Sequence, residues 1–118
     1  MRLLAIAALL SLTPVSAFAV SDCRVTGNPS VFGVDMIAYV TVRSGETCNF
    51  PIRIPGVMNS SGVSQKPSHG TLRQLNVTTF RYTAVSGYKG NDTFAIYGEG
   101  KGPHGSGRSV MTVNATIE

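Results

Sequence analysis

The chain has 118 residues, with ten Lys and Arg against six Asp and Glu, a net charge of +4, 13 Gly and no Trp. A chain of this length builds a single core, and its basic residues are scattered, which excludes the dense basic stripe of a nucleic-acid binder. Sparse charge with abundant glycine suits short strands joined by tight turns.

Taken in chain order, the first element is an address. Arg2 precedes an apolar run from Leu3 to Leu12, and Ala17-Phe18-Ala19 fits a small-x-small cleavage site. Residues 1–19 are therefore expected to be a secretory signal peptide cut after Ala19, with Ala17 the alternative, leaving residues 20–118 as one exported domain. The run falls short of the roughly 20 apolar residues that span a bilayer. Asp22, not a small residue, precedes Cys23, which argues against a lipidated cysteine, so no membrane anchor is expected. The predicted location is the periplasm or the exterior.

Cys23 and Cys48 are the only cysteines. In an exported small domain an even count predicts a disulfide, and their spacing is far from the Cys-x-x-Cys of redox and metal sites. Closing a loop of about 26 residues stabilises by roughly 3.5 kcal/mol on the chain-entropy estimate.

From Val31 onward the pattern has period two. Met36, Ala38, Val40 and Val42 share one face of a strand, and Cys48, Phe50, Ile52 and Ile54 share one face of the next. With Ser44-Gly45-Glu46 between them, the two strands are expected to form a hairpin. Asn59–Gly62 is expected to be a polar turn before a short strand over Val63–Lys66, followed by a turn at Pro67–Gly70 and a strand of mixed alternation from Thr71 to Val77. Phe80, Tyr82 and Ala84 then point one way, and Phe94 and Ile96 are the inward candidates of a strand over Thr93–Tyr97. Gly98–Gly107 is expected to be a mobile glycine-rich loop, and Arg108–Ile117 closes the chain with Met111, Val113, Ala115 and Ile117 on one face. Six to seven antiparallel strands without an amphipathic helix define an all-β sandwich.

Three blocks carry a resemblance. Pro67-x-x-Gly70-Thr71, Phe80-x-Tyr82-Thr83 and Gly87-Tyr88-x-Gly90-x-Asp92-x-Phe94 resemble the bacterial immunoglobulin-like and cadherin-like repeats found in tandem in large surface adhesins. The match covers roughly the C-terminal half of the exported part. It implies an immunoglobulin-like sandwich with Gly87, Tyr88, Gly90, Asp92 and Phe94 at a structural corner. Tyr88 suits a tyrosine-corner role, its hydroxyl bonding backbone at a loop between the sheets. Gly87 and Gly90 suit backbone that a side chain resists, and Asp92 suits the capping of turn amides. The chain departs from the family in carrying its own signal and a disulfide candidate that adhesin repeats generally lack, which favours an independent exported module over a stalk spacer.

Chemistry is thinly represented. The acidic residues are dispersed, with no Asp-x-Asp run to gather calcium. His69 and His104 with Met58 or Met111 have the donor chemistry for a soft copper ion, but both histidines sit beside glycine in turns, where solvated turn residues are the simpler reading. No Gly-x-Ser-x-Gly elbow occurs, and bridged cysteines leave no catalytic thiol. The sequence thus predicts a non-enzymatic module without a cofactor, binding an unidentified protein or glycan partner at the cell envelope. The candidate contact residues are Lys101, His104 and Arg108, with Asn59–Lys66 as an adjoining segment; an ordinary hairpin loop is the competing reading. Alternatives are a structural subunit that pairs through edge strands, with at most weak self-association otherwise, and a copper-binding periplasmic protein.

Overall fold

The computed structural model describes residues 20–28 and 30–118, so the expected signal peptide lies outside the described residues. They form eight strands and no helix: β1 (Arg24–Gly27), β2 (Met36–Val42), β3 (Thr47–Pro51), β4 (Val57–Gln65), β5 (Gly70–Asn76), β6 (Thr79–Ala84), β7 (Gly90–Gly102) and β8 (Gly105–Ile117). Two sheets face each other, one ordered β1-β2-β8-β7-β4 and the other β3-β6-β5. All pairings are antiparallel except β2 with β8, which run parallel.

The alternating runs do what their period requires. β2 is buried at Met36, Ala38, Val40 and Val42, β6 at Phe80, Tyr82 and Ala84, and β8 at Met111, Val113, Ala115 and Ile117. The sheets meet where Phe94 of β7 packs edge-on against Phe50 of β3, centroids 6.2 Å apart, and stacks on Tyr82 of β6 at 5.0 Å. Such pairs add to the apolar burial that holds a two-layer fold together.

Four expectations are corrected. First, the strand over Met36–Val42 and the strand beginning near Cys48 do not form a hairpin. β2 is flanked by β1 and β8, whereas β3 pairs with β6 in the opposite sheet. The reason is at the turn: the Ser44 amide donates to the Glu118 carbonyl (2.8 Å) and the Glu46 amide to the Arg43 carbonyl (3.0 Å). The linker is thereby fastened to the end of β8 and hands the chain across to the other sheet.

Second, Asn59–Gly62 is no turn; it lies inside β4, an edge strand with irregularities between Met58 and Ser60 and between Val63 and Gln65. Its Asn and Ser side chains read as turn residues in sequence, yet an edge strand with a solvated side tolerates them. Third, β1 brings the strand count to eight; all four of its residues are exposed, so it lacks the alternation by which a strand is recognised.

The fourth correction concerns Gly98–Gly107. The segment is the outer half of a β7–β8 hairpin whose register runs unbroken from Gly90 opposite Ile117 to Gly102 opposite Gly105. Its glycines answer to packing. Phe32, 2 % exposed, lies against them: a Cβ on Gly100 would stand 2.7 Å from the Phe32 ring and would also run into the Val57 carbonyl of β4. The segment before β2 is clamped on the same hairpin. Buried Ser109 donates to the Val31 carbonyl and accepts from the Gly33 amide, both at 3.0 Å, while Asp35 accepts from the Val110 amide at 2.9 Å. Gly100→Ala is expected to cost about 2–3 kcal/mol through overpacking, read as a shift in the urea midpoint; a midpoint equal to that of the parent would restore the mobile-loop reading.

Candidate functional site

Residues singled out in the sequence fall at two ends of β7. At one end lies the β6–β7 corner, where the chain passes from the three-stranded to the five-stranded sheet. Gly87 (φ 89°) and Gly90 (φ 140°) hold the left-handed backbone that glycine permits. Tyr88 is half-buried, donates its hydroxyl to the Asn91 carbonyl (2.8 Å), and stacks on the His69 ring with centroids 3.8 Å apart and planes 2° from parallel. Its hydrogen bond therefore closes the corner locally.

The bond that ties the sheets is made by Asp92, 3 % exposed. One carboxylate oxygen accepts the Tyr82 hydroxyl at 2.6 Å; the other accepts the Ser68 amide at 2.9 Å and its neighbour's, Thr93, at 3.0 Å. Burial pushes the Tyr82 phenol up from its ordinary value, and donation to Asp92 pushes it further. Buried polar atoms so fully used are structural in character. Phe94 follows two residues on, wholly buried.

The Tyr82–Asp92 partnership was missed from sequence, although a signal existed. Asp92, Phe94 and Ile96 share parity in β7, so a carboxylate faces the core and must find a donor.

At the other end, the hairpin closes with Pro103 and His104 as a two-residue turn between Gly102 and Gly105. Lys101 and Arg108 flank it on the strands. Arg108 pairs in register with Glu99, and Lys101 lies two residues beyond Glu99 on the same outward face. The Arg108 guanidinium lies 4.0 Å from the Tyr97 ring centroid and 3.6 Å from the Glu99 carboxylate. Ser60 of β4 donates to that carboxylate at 3.3 Å. The structure thus brings Lys101 and Arg108 onto one face with Tyr97, sets His104 at its tip, and lays part of the Asn59–Lys66 segment alongside. Arg108 is held in place by stacking and an ion pair; Lys101 and His104 are exposed.

His69 and His104 are not brought together. His69 packs on the corner and His104 on the turn, separated by the 13 residues of β7, about 40 Å of extended chain. Among the described residues no three His, Cys, Asp or Glu side chains converge as a metal site. A cleft of about 390 Å³ opens between the sheets on the β1–β3 side, floored by Met36, Ala38, Phe50 and Met111, with Asp22 and Arg53 on its rim, 3.6 Å apart. The Cys23–Cys48 disulfide lies beside it, Cα atoms 4.8 Å apart, and joins the start of the five-stranded sheet to β3 of the other. No protein-family model matches the chain, and no curated protein does.

Proposed function

We propose that this is an exported immunoglobulin-like domain that works by binding, without catalysis, to a protein or glycan partner at the bacterial envelope or outside the cell. The disulfide fits an oxidising compartment. Strand order supports the fold type: with β3 to β8 in the places of strands B to G, one sheet holds B, E and D and the other C, F and G, as in constant-type immunoglobulin sandwiches.

The observation that carries the binding reading is the hairpin face. Tyr97 and Arg108, residue types favoured at binding hot spots, stand on a rigid strand pair beside exposed Lys101 and His104. A preformed surface binds with less loss of conformational entropy than a mobile loop.

Three of the four edge strands weigh against the alternative of a structural subunit assembled by strand pairing; the fourth, β5, has seven residues and one irregularity between Gln74 and Asn76. β3 is covered at Asn49, whose amide and carbonyl bond Ser21 and Cys23, and its next outward position is Pro51, which has no amide to donate. β4 is interrupted by its two irregularities, and β1 has only four residues.

The test is capture of solubilised envelope and glycan fractions on the immobilised oxidised protein. The parent is expected to retain one saturable partner, and Lys101→Glu with His104→Ala to weaken retention at least about tenfold, the equivalent of one charge-assisted hydrogen bond. Both sites are exposed, so the fold is expected to persist. Unchanged retention by the double variant removes the hairpin face as the contact surface.

A further inference from the structure

The outer face of the three-stranded sheet carries an unusual pairing. Arg73 of β5 lies directly opposite Arg81 of β6, and Arg81 lies opposite Asn49 of β3. Phe80, Tyr82 and Ala84 take the inward positions of β6, so Arg81 points outward, with Arg73 beside it. Like charges directly opposite across a strand pair destabilise a sheet. Nothing acidic relieves this one: among the described residues the two ion pairs are Arg53 with Asp22 and Arg108 with Glu99. Asp22 is the acid nearest in register, placed opposite Asn49 on the side away from Arg81 and engaged by Arg53.

Arg81 is also oriented. Its Nε donates to Asn49 Oδ1 at 3.0 Å, which fixes the guanidinium on the β3 side of β6, with Arg73 on the other side. The next row is Thr47, Thr83 and Thr71, the first two joined hydroxyl to hydroxyl at 2.9 Å.

We propose that this face binds an acidic polysaccharide, with the carboxylate or sulfate groups of one chain on Arg73 and Arg81 and sugar hydroxyls on the threonine row. Two guanidiniums on adjacent strands offer planar donor forks to the repeated anionic groups of one chain, and those groups relieve the repulsion the fold otherwise retains. The face carries the hydroxyls of Thr47, Thr71, Thr79 and Thr83 and the amide of Asn49, groups to which a sugar chain can hydrogen-bond. It has no aromatic side chain on which a nucleobase would stack. The site shares no residue with the hairpin face, so either assignment can fail while the other stands.

The experiment titrates the purified oxidised protein with dextran sulfate and with polygalacturonate, using neutral dextran and phosphatidylglycerol vesicles for comparison. Saturable binding to at least one acidic polysaccharide and none to dextran is expected; the two polymers separate a sulfate from a carboxylate preference. Arg73→Gln, at an exposed edge position, is expected to weaken binding about tenfold with its circular dichroism and thermal midpoint kept or improved. Arg43→Gln with Lys89→Gln, a larger loss of charge elsewhere, is expected to leave binding within about twofold. Equal weakening in both variants would show general charge attraction and overturn the site. Absence of polysaccharide binding, or preferential binding to the vesicles through exposed Leu75 and Val77 at the β5–β6 turn, would overturn it as well.

Discussion

Replacing Cys23 and Cys48 together by alanine is expected to lower the free energy of unfolding by about 3.5 kcal/mol. The two residues lie 25 positions apart, and the bridge restricts the unfolded chain by closing that loop. A domain of this size has a total stability of only about 5–15 kcal/mol, so a quarter or more of it is at stake. The loss is also local. Cys23 is the point at which the chain leaves β3 for β1, and its amide bonds the Asn49 carbonyl at 2.7 Å while the Asn49 amide bonds Ser21 at 2.9 Å. Without the bridge these two bonds and the exposed Asp22–Arg53 ion pair hold the N-terminal segment beside β3, and fraying exposes that edge to pairing with other chains. Urea denaturation of the oxidised parent, the reduced parent and the double variant checks the expectation. The latter two should share a lowered midpoint, and a midpoint unchanged on reduction would contradict it.

The second large effect is expected at Asp92. Asp92→Ala removes the acceptor of the buried Tyr82 hydroxyl and of the Ser68 amide together, with an expected cost of about 3 kcal/mol. Tyr82→Phe takes away only the donor and should cost about 1–2 kcal/mol. The pair also has a pH signature. The folded state holds the Tyr82 phenol neutral beyond its ordinary value of 10.0. Stabilisation from a raised group is complete below the unfolded value and disappears as pH rises through the folded one. Parent and Tyr82→Phe should therefore differ by a constant amount up to about pH 10 and converge above it. Denaturation curves from neutral to alkaline pH report this directly; a difference that persists undiminished at the alkaline end would show that the fold does not hold the Tyr82 phenol neutral.

Much of the core was legible from residue parity alone. Met36 to Val42, Phe80 to Ala84 and Met111 to Ile117 alternate cleanly, and alternation is all that a half-buried strand needs. Pairing partners were another matter. The Ser44–Glu46 turn looks like a hairpin turn, but the bond from Ser44 to Glu118 depends on a residue more than seventy positions away, which no local pattern announces. The glycine-rich stretch is ambiguous for a related reason: glycine marks mobility when nothing lies against it and close packing when something does, and Phe32 is remote in sequence from Gly100. For the candidate site, Lys101, His104 and Arg108 fall near one another because one hairpin carries them. The stack of Arg108 on Tyr97 follows from the β7–β8 register and the reach of Ser60 to Glu99 from the β4–β7 register. The Arg73–Arg81 opposition is equally a product of register, since nothing in either local segment marks the other as its neighbour.

The preformed hairpin is what the binding reading rests on, and amide hydrogen exchange across Tyr97–Val110 in the oxidised protein tests it most directly. Protection of Gly98, Gly100 and Ser109 approaching that of Phe94 and Val113 is expected, because all five lie in the unbroken β7–β8 ladder. Exchange at the rates of an unstructured peptide across Gly98–Gly107 would contradict it, returning the segment to a mobile loop and removing the rigid surface on which Lys101, His104 and Arg108 are presented.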